Sequence, residues 1–354
     1  MSRVTLQTVA DHVGVSRMTV SNAFSRPDQL SADLRRRILE AADELGYAGP
    51  DPAARALARG TTGAVGVLLT DNLQEAFTDE VAALFFGAVA RELESSGLAL
   101  TLLSSSGDAG GTAHIPARDI PMDGALVYSC DTTSHAVDWL RRRKLPLVFV
   151  DQTPVPGVSS INIDDRGGAR AAAHHLLELG HRRIGIVTSA YAGSAGLTDD
   201  PLDSPAHVSR QRMLGWLDAL TDHGITPPVA QQPRSGEDTG RAGAELLLDL
   251  PEPPTAILCF SDAMAYGAVQ VAQERGLDVP GDLSVVGFDD NPLAARMRPA
   301  LTTVRQDVAV KGNAAAAELR QALDRSRAGT TARAKRIVLP VELVVRSSTA
   351  PPPR

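Results

Sequence analysis

From Gly63 onward, short apolar runs alternate with longer segments of helical periodicity, and this alternation constrains the fold more than any other feature. Strands separated by helices form parallel βαβ units, because a parallel partner is reached only through a crossover connection. The predicted strands are Val65–Leu69, Ala99–Ser104, Gly124–Tyr128, Leu147–Val150, Ser160–Ile163, Ile184–Val187, Thr255–Phe260 and Leu283–Phe288. The predicted helices are Glu80–Ser95, Arg166–Leu179, Arg210–His223, Gly240–Leu248, Asp262–Arg275 and Val308–Ala328. We therefore expect two doubly wound α/β lobes, with a ligand crevice beyond the carboxyl ends of the strands.

The first 48 residues show a different pattern, that of three short helices. Thr5 is placed to cap a first helix, Gly14 permits a tight turn, and Ser16 is placed to cap a second helix. Ser31 is placed to cap a third helix, which Gly46 would end. Two short helices joined by a glycine turn and braced by a third form a helix-turn-helix. A small helical bundle without any ligand has the same pattern.

The outer face of the second helix favours a helix-turn-helix that binds DNA. Arg17, Met18, Thr19, Ser21 and Asn22 lie off its apolar stripe, where a merely solvated helix usually carries Glu/Lys pairs. Arginine can bind guanine bidentately, asparagine can bind adenine in the same way, and hydroxyl groups suit phosphates. The residue types on this face are therefore typical of a recognition helix.

The net charge at first argues against DNA, because the 354-residue chain carries a formal charge of −7, whereas nucleic-acid-binding proteins are usually basic. The first 60 residues, however, carry +1 and the remainder −8, so the acidic character belongs to the large domain. Apolar runs are far shorter than a membrane span, and the first residues lack the pattern of a signal peptide. Cys130 and Cys259 lie in apolar, strand-like runs. We therefore expect a cytoplasmic protein with buried thiols.

The run from Val4 to Ser21 follows the pattern V-T-L-x-x-V-A-x-x-x-G-V-S-x-x-T-V-S, which resembles the headpiece of the lactose-repressor/galactose-repressor (LacI/GalR) family. Further blocks, including Leu145–Asp151, Leu283–Asp290 and Leu301–Asp307, extend the resemblance over nearly the whole chain. It implies an all-α helix-turn-helix headpiece followed by an α/β, two-lobed, periplasmic-binding-protein-like effector domain. The implied function is that of a sequence-specific transcriptional regulator, most often a repressor, that is not an enzyme and uses no metal or cofactor.

The resemblance also implies which residues contact operator DNA. Major-groove bases would be contacted by Arg17, Met18 and Asn22, and phosphates by Thr5, Ser16, Thr19, Ser21, Ser25 and Ser31. Residues 49–61 would form a hinge, in which Asp51 caps a two-turn helix with Pro52 at its first position. Such a short helix is marginal alone. The family implies that it orders on DNA, pairs with its twin and inserts Leu57 into the minor groove beside Ala54; the alternative is a passive linker.

In residues 62–346, the resemblance implies an effector site between the lobes. The implied contacts are Phe77, Asp151, Arg212, Ser261, Asp289 and Gln306. Ser261 stands where some sugar-responsive members have asparagine, so sugars, sugar phosphates and nucleosides all stay open. Residues Ser105–Ile120 form a shorter, glycine-rich segment where the family usually has a full helix. Residues 347–354 are predicted to be a flexible tail without the apolar heptads of a tetramerising coiled coil, so we expect a homodimer on a pseudo-palindromic operator.

Other patterns that suggest chemistry are better explained by packing. Three histidines and one glutamate between His174 and His181 could bind a metal, but adjacent histidines point to different sides of a helix. Gly167 and Gly168 lack the flanking residues of a phosphate-binding loop. Asp289 and its acidic neighbour have no matching nucleophile or orienting base, which disfavours an enzyme. A periplasmic sugar-binding protein would share the two lobes, but it would need an export signal and would have no headpiece.

Overall fold

The computed structural model describes residues 4–69, 74–104, 116–129, 134–190, 194–330 and 333–353, and it divides the chain into two compact units, Met1–Gly63 and Ala64–Arg354. The described helices of the first unit are α1 (Leu6–Val13), α2 (Arg17–Ser25), α3 (Ala32–Glu44) and α4 (Pro52–Arg59), with a short 3₁₀ turn at Pro27–Gln29. The three predicted headpiece helices and the hinge helix are therefore all present.

The helix starts of the first unit are fixed by the side chains that the sequence pattern predicted. Thr5 Oγ1 accepts a hydrogen bond from the Thr8 amide, and the Thr8 hydroxyl accepts one from the Thr5 amide, which forms a capping box. Gly14 adopts φ +75°, a left-handed conformation that lets α1 stop and α2 begin within three residues. The small core consists of Val9, Ala10, Val20, Ala23, Ile38, Ala41 and Ala42.

The second unit alternates strands and helices. Its described strands are β1 (Ala64–Leu69), β2 (Ala99–Ser104), β3 (Gly124–Tyr128), β4 (Leu147–Val150), β5 (Ser159–Ile163), β6 (Ile184–Ser189), β7 (Gly196–Leu197), β8 (Val229–Gln232), β9 (Ala256–Cys259), β10 (Ser284–Asp289), β11 (Thr302–Gln306), β12 (Arg336–Leu339) and β13 (Val341–Val344). Its described helices are α5 (Glu75–Thr78), α6 (Glu80–Glu94), α7 (Pro116–Asp119), α8 (His135–Arg142), α9 (Asp165–Glu178), α10 (His207–Thr221), α11 (Glu237–Leu248), α12 (Asp262–Glu274), α13 (Pro292–Arg296) and α14 (Val308–Arg327). The predicted two-lobed α/β architecture is confirmed.

Two sheets define the lobes. Within the described residues, the first sheet has the order β12-β5-β4-β3-β1-β2 and is parallel throughout. The second has the order β13-β11-β10-β9-β6-β8-β7 and is parallel except at its edges, where β13 and β7 run antiparallel to their neighbours. Helices cover both sheets, so the central strands are buried and read as continuous apolar runs.

The chain passes between the lobes after β5, after β11, and again between β12 and β13. Helix α14 follows a strand of the second sheet but packs on β3, β4 and β5 of the first. Gly168, in the first turn of α9, lies so close to β11 that an added Cβ would be 2.8 Å from Val304 Cγ1. This close contact confirms that the paired glycines serve packing at a helix start.

The C-terminal segment differs from the predicted flexible tail, because residues 347–353 lie against the second lobe. Ser348 Oγ donates to the Val285 carbonyl at 2.6 Å and accepts from the Thr302 amide at 2.8 Å. The Ala350 carbonyl accepts from the Ser284 hydroxyl at 3.1 Å. A polar, proline-rich end is the pattern of a solvated tail. The hydrogen bonds that hold it come from strands far away along the chain, and a local pattern does not show them.

Two other expectations concern residues that the structure describes only in part. Residues 105–115 of the glycine-rich segment, and Cys130, lie outside the described residues; the segment's described end forms the short helix α7. Cys259 is buried in β9, as predicted. Among the described residues there is no helix with the length and apolar character needed to cross a membrane.

Candidate functional site

The start of α2 presents two uncovered side chains. Ser16 Oγ accepts a hydrogen bond from the Thr19 amide at 3.0 Å and lies 2.7 Å from Thr19 Oγ1, which fixes the first turn. Arg17 and Met18 occupy the next two positions; Arg17 is exposed, and Met18 is 69% exposed. The first turn contains no acidic residue. The positive end of the helix dipole therefore lies beside a long cation and an apolar tip, which is a suitable arrangement for approaching DNA.

Farther along α2, the predicted contact residues are half-buried and hydrogen-bonded within the unit. Asn22 Nδ2 donates to Gln29 Oε1 at 3.1 Å, so Gln29 orients the amide. The Ser25 hydroxyl donates to the Ser21 carbonyl at 2.8 Å. Because its one hydrogen is already used, Ser25 would have to rotate to donate to a phosphate oxygen. The sequence pattern did not predict the role of Gln29.

The hydroxyls of Thr5 and Ser31 lie at helix starts as well. Thr5 caps α1, and Ser31 Oγ accepts from the Leu34 amide at 3.3 Å at the start of α3. Both residues are exposed. A hydroxyl that accepts from a backbone amide keeps its own hydrogen. The caps of the headpiece can therefore serve both the fold and phosphate binding.

Helix α4 contains the predicted hinge residues. Asp51 Oδ1 accepts from the Ala53 amide at 2.8 Å, and Pro52 is the first helical residue. The helix buries none of its side chains, and Leu57 is 86% exposed, with Ala54 also exposed on the helix. An isolated two-turn helix gains little stability from its own hydrogen bonds. Its apolar side chains are thus available to a partner that would also stabilise the helix.

In the second unit, a cavity of about 440 Å³ lies between the lobes, at the carboxyl ends of strands from both sheets. Five of the predicted effector residues line it, namely Asp151, Arg212, Ser261, Asp289 and Gln306. Phe77 does not line it; this residue lies on α5 and is 68% exposed. The crevice expected from the strand–helix alternation therefore exists, and it brings together residues that are far apart in sequence.

Arg212, from α10, is the central cation of the second lobe's wall and is 4% exposed. Its Nε donates to Asp165 Oδ1 at 2.9 Å, and its Nη2 donates to Asp289 Oδ1 at 3.2 Å. Its guanidinium carbon lies 3.6 Å from the ring centroid of Phe288 and 4.7 Å from that of Phe260. Two carboxylates and two aromatic faces thus hold the guanidinium group at the cavity.

A chain of hydrogen bonds leads from Arg212 across to the first lobe. Asp289 Oδ1 also accepts from Gln306 Nε2 at 2.7 Å. Gln306 Oε1 accepts from Lys311 Nζ at 2.8 Å, and the same ammonium donates to Asp151 Oδ2 at 2.5 Å. The chain follows the crossover from β11 to α14, so it connects polar groups that belong to different lobes.

Backbone strain is concentrated at the same edge of the sheets. Ser129, Asp151, Asp289 and Asp290 all have positive φ, at +50°, +54°, +116° and +53°. Each follows or ends a strand whose carboxyl end reaches the cavity region. Such conformations cost about 1–3 kcal/mol each in residues other than glycine. Ser129, Asp151 and Asp289 line the cavity, and such strained backbone is typical of a functional site.

Burial perturbs the carboxyl groups around Arg212. Burial raises the pKa of Asp165 to about 6, against the opposing effect of Arg212. Burial likewise raises the pKa of Asp289 to about 6, again opposed by Arg212. The pKa of Asp262 is raised well above its ordinary value by burial and by the charge of Asp289. Arg212 therefore favours the ionised forms of Asp165 and Asp289, whereas Asp262 has no such cation among the groups that act on it.

The cavity wall is acidic. Among its described lining residues, seven are carboxylic acids and three are cations. Arg234, at the exposed rim, pairs with Asp238. Lys311 pairs with Asp151, as described above. A ligand that enters this cavity therefore meets an excess of negative charge.

Ser261 has a structural role in addition to its place in the cavity wall. Its hydroxyl oxygen accepts from the Met264 amide at 3.2 Å and so caps α12. It also lies 2.7 Å from Ser235 Oγ. The position is therefore both a helix cap and a polar group of the cavity.

His175 and His181 have the packing roles that were predicted for them. His181 is 1% exposed; its Nδ1 lies 2.8 Å from Thr255 Oγ1, and its Nε2 lies 2.9 Å from the Ala350 carbonyl oxygen. His175 Nε2 lies 2.9 Å from Thr349 Oγ1. Both histidines hold the C-terminal segment, and burial lowers the pKa of each. In the part of the chain that the structure describes, no group of acidic, histidine and cysteine side chains has the arrangement of a metal site.

A helix-turn-helix unit followed by a two-lobed α/β unit with a polar cavity defines a DNA-binding transcriptional regulator with an effector-binding domain. A family profile described as bacterial regulatory proteins, lacI family, matches residues 5–49. A second profile, described as a periplasmic binding protein-like domain, matches residues 173–349. The chain belongs to the LacI family, which confirms the resemblance and makes it a transcriptional regulator rather than an enzyme.

Relatives support this membership over the full length of the chain. An HTH-type transcriptional regulator from Mycolicibacterium smegmatis is 40% identical over 330 residues, which cover 88% of this chain and 89% of that protein. A structure of the lac repressor dimer bound to operator and the anti-inducer ONPF is 25% identical, with a TM-score of 0.76, and covers 99% of this chain and 100% of its own. A complex of the transcriptional regulator CelR with cellobiose is 28% identical, with a TM-score of 0.66. The match covers 98% of this chain and 100% of the CelR chain.

Proposed function

We propose that the protein is a homodimeric, sequence-specific repressor that acts in the cytoplasm on a pseudo-palindromic operator. Residues 1–48 form the DNA-binding headpiece, residues 49–61 the hinge and residues 62–346 the effector-binding and dimerisation domain. A sugar or a related metabolite, bound in the cavity between the lobes, controls operator affinity.

The observation that carries the DNA-binding part of the proposal is the exposed, capped start of α2. Arg17 and Met18 project from this start of α2. Asn22 lies one turn farther along the helix, and Gln29 orients its amide. In this proposal these three residues read bases in the major groove, because an arginine fork matches guanine and an asparagine amide matches adenine. The hydroxyls of Thr5, Ser16, Thr19, Ser21, Ser25 and Ser31 contact phosphates and set the register.

The headpiece alone is a weak DNA-binding unit. A single module of this size buries roughly 600–1,000 Å² against DNA, and the first 60 residues carry a net charge of only +1. Two headpieces on two half-sites, with Leu57 from each hinge wedged into the minor groove, would supply the missing affinity. The near-complete exposure of Leu57 supports this role, because an apolar wedge must be uncovered before DNA binds.

The effector part of the proposal is supported by the lining of the cavity. Arg212, Asp289 and Gln306 form a hydrogen-bonded chain in its wall that Lys311 extends to Asp151. Ser261 also lines the cavity. The relative CelR was solved as a complex with cellobiose, which shows that a similar fold holds a sugar. Effector binding that changes the angle between the lobes would disfavour pairing of the hinge helices. A coupling free energy of about 1–3 kcal/mol would change operator affinity by roughly 5–150-fold.

A binding-site selection from random DNA duplexes tests the proposal. The full-length protein should enrich a sequence with two inverted half-sites, and a labelled duplex from the region upstream of its own gene is a second target. Bound and free DNA are separated by electrophoresis at several salt concentrations. Enrichment of no sequence, together with equal retardation of all duplexes, would contradict sequence-specific regulation.

A further inference from the structure

The first lobe contributes a buried ion pair to the cavity wall. Lys311, in the first turn of α14, is 1% exposed, and Asp151, which follows β4, is 6% exposed. Lys311 Nζ donates to Asp151 Oδ2 at 2.5 Å and to Gln306 Oε1 at 2.8 Å. Both members of the pair line the cavity. The pair is therefore part of the surface that a bound ligand meets.

The pair retains unused hydrogen-bonding capacity. An ammonium group has three donors, of which Lys311 uses two in these bonds. Among the described residues, none donates to Asp151 Oδ1, although this oxygen is buried. One N–H donor and one carboxylate oxygen are thus available next to each other. A buried polar atom without a partner is costly, so a ligand that satisfies this oxygen gains affinity.

The charges around the pair disfavour an anion. The buried cations of the wall, Lys311 and Arg212, are already bound to Asp151, Asp165 and Asp289. A phosphate group near the available oxygen of Asp151 would meet a like charge at low local dielectric constant. A hydroxyl group, in contrast, can donate to this oxygen, and a neighbouring hydroxyl can accept from the ammonium.

We propose that the Lys311–Asp151 pair determines the specificity of the cavity and selects an uncharged ligand with two adjacent hydroxyl groups over its phosphorylated counterpart. This inference rests on the proposed function, in which the cavity holds the effector. Of the ligand classes that the sequence left open, it excludes sugar phosphates and keeps neutral sugars and nucleosides. Lys311 was not among the residues that the family resemblance implied.

Calorimetric titration of the full-length protein with matched compounds tests the selection. The probes are ribose, glucose, cellobiose and uridine, each with its phosphate ester and with a deoxy analogue that lacks one of the adjacent hydroxyls. The tightest ligand should be a neutral compound, and its deoxy analogue should bind about 10- to 100-fold more weakly, since it loses a hydrogen bond to a charged group. The proposal is overturned if a phosphate ester binds as tightly as its parent compound, if the deoxy analogue binds equally well, or if no neutral compound binds.

Variants separate ligand selection from a purely structural role. Lys311→Met alone leaves a buried charge on Asp151 and is expected to unfold readily, so the double variant with Asp151→Asn is the informative one. It should fold, lose at least tenfold in affinity for the neutral ligand, and lose the preference over the deoxy analogue. The single variant Asp151→Asn should fold, because its amide oxygen can still accept from Lys311, which also keeps its hydrogen bond to Gln306 Oε1. It should bind the phosphate ester more tightly than the wild type does, a change that a structural role would not produce.

The matched control is Arg241→Met, which breaks the Arg241–Glu274 pair on the surface of the second lobe, away from the cavity lining. It should leave the ranking of ligands unchanged. Unchanged selectivity in both Asp151 variants would contradict the proposal. If the ligand ranking holds but the ligand leaves operator affinity unchanged, the specificity assignment stands and control of DNA binding by this cavity is wrong.

Discussion

Replacing Arg212 by methionine should destabilise the second unit strongly while keeping most of the side-chain volume. Arg212 is 4% exposed and holds Asp165 and Asp289, which are 2% and 7% exposed. Without the guanidinium group, two buried carboxylates lose their cation. Removing one partner of a buried ion pair costs about 3–5 kcal/mol. For a unit of this size, each kcal/mol lowers the melting temperature by about 2–4 °C, which corresponds to a decrease of roughly 6–20 °C.

The control for this prediction is Arg166→Met. Arg166 also holds an aspartate through two hydrogen bonds, at 2.7 and 2.9 Å to Asp218. Its side chain is 50% exposed, however, and an exposed ion pair contributes little to stability because water screens it. Differential scanning calorimetry at pH 7.5 should therefore show a much smaller shift for Arg166→Met. Equal shifts for the two variants would refute the account of the buried cluster.

The decrease in melting temperature caused by Arg212→Met should depend on pH. Burial raises the pKa of Asp165 and of Asp289 to about 6 in the folded protein, above the ordinary aspartate value of about 4. The folded state therefore binds more protons than the unfolded state between about pH 4 and pH 6, so these two groups favour folding less as the pH rises through that range. At pH 5 both carboxyls are mostly protonated and need the arginine less. The difference in melting temperature between wild type and variant should shrink from pH 7.5 to pH 5, and an unchanged difference would contradict this reasoning.

Three further variants or measurements test other parts of the account. Arg17→Ala should relax base preference at one position of each half-site, with a loss of about 1–3 kcal/mol in discrimination between bases. If a selection with this variant returns the wild-type operator, Arg17 reads no base. Leu57→Ala should weaken operator binding by up to about 1.5–3 kcal/mol, the value of burying a leucine side chain, while Leu197→Ala, another exposed leucine, should have no effect in the same anisotropy titration. Burial raises the pKa of the Cys259 thiol, so mass spectrometry should find Cys259 alkylated only after denaturation, and rapid labelling of the native protein would contradict its burial.

The strand–helix alternation predicted most of the large unit, because its central strands are buried on both faces. The buried interior strands Gly124–Tyr128 and Leu147–Val150 have the predicted bounds, and so has the apolar edge strand Ala99–Ser104. The strand at Arg336–Leu339 was not predicted, since its residues alternate between exposed and half-buried at the edge of a sheet. The interior strands Val229–Gln232 and Thr302–Gln306 were not predicted either, because both contain polar residues that interrupt the apolar run. Hydrophobic periodicity detects continuous apolar strands well and mixed ones poorly.

The cavity was harder to predict than the fold. Arg212 and Asp289 were identified through the family resemblance, but Lys311 was not. A lysine on an amphipathic helix normally extends into solvent, and Lys311 is buried only because Asp151, 160 residues away in sequence, meets its ammonium group. Phe77 was expected at the cavity and lies outside its lining. Such pairings follow from tertiary packing and leave no local pattern in the sequence.

Control of DNA binding from the cavity is tested most directly by the affinity of the full-length protein for its selected operator, measured by fluorescence anisotropy with and without a saturating cavity ligand. Control of DNA binding from the cavity predicts that the dissociation constant changes by roughly 5–150-fold, while the weaker affinity for unrelated DNA stays constant. Arg212→Met, at a temperature where it remains folded, should reduce this change because Arg212 contacts the cavity. An operator affinity that is the same with and without bound ligand would contradict the claim.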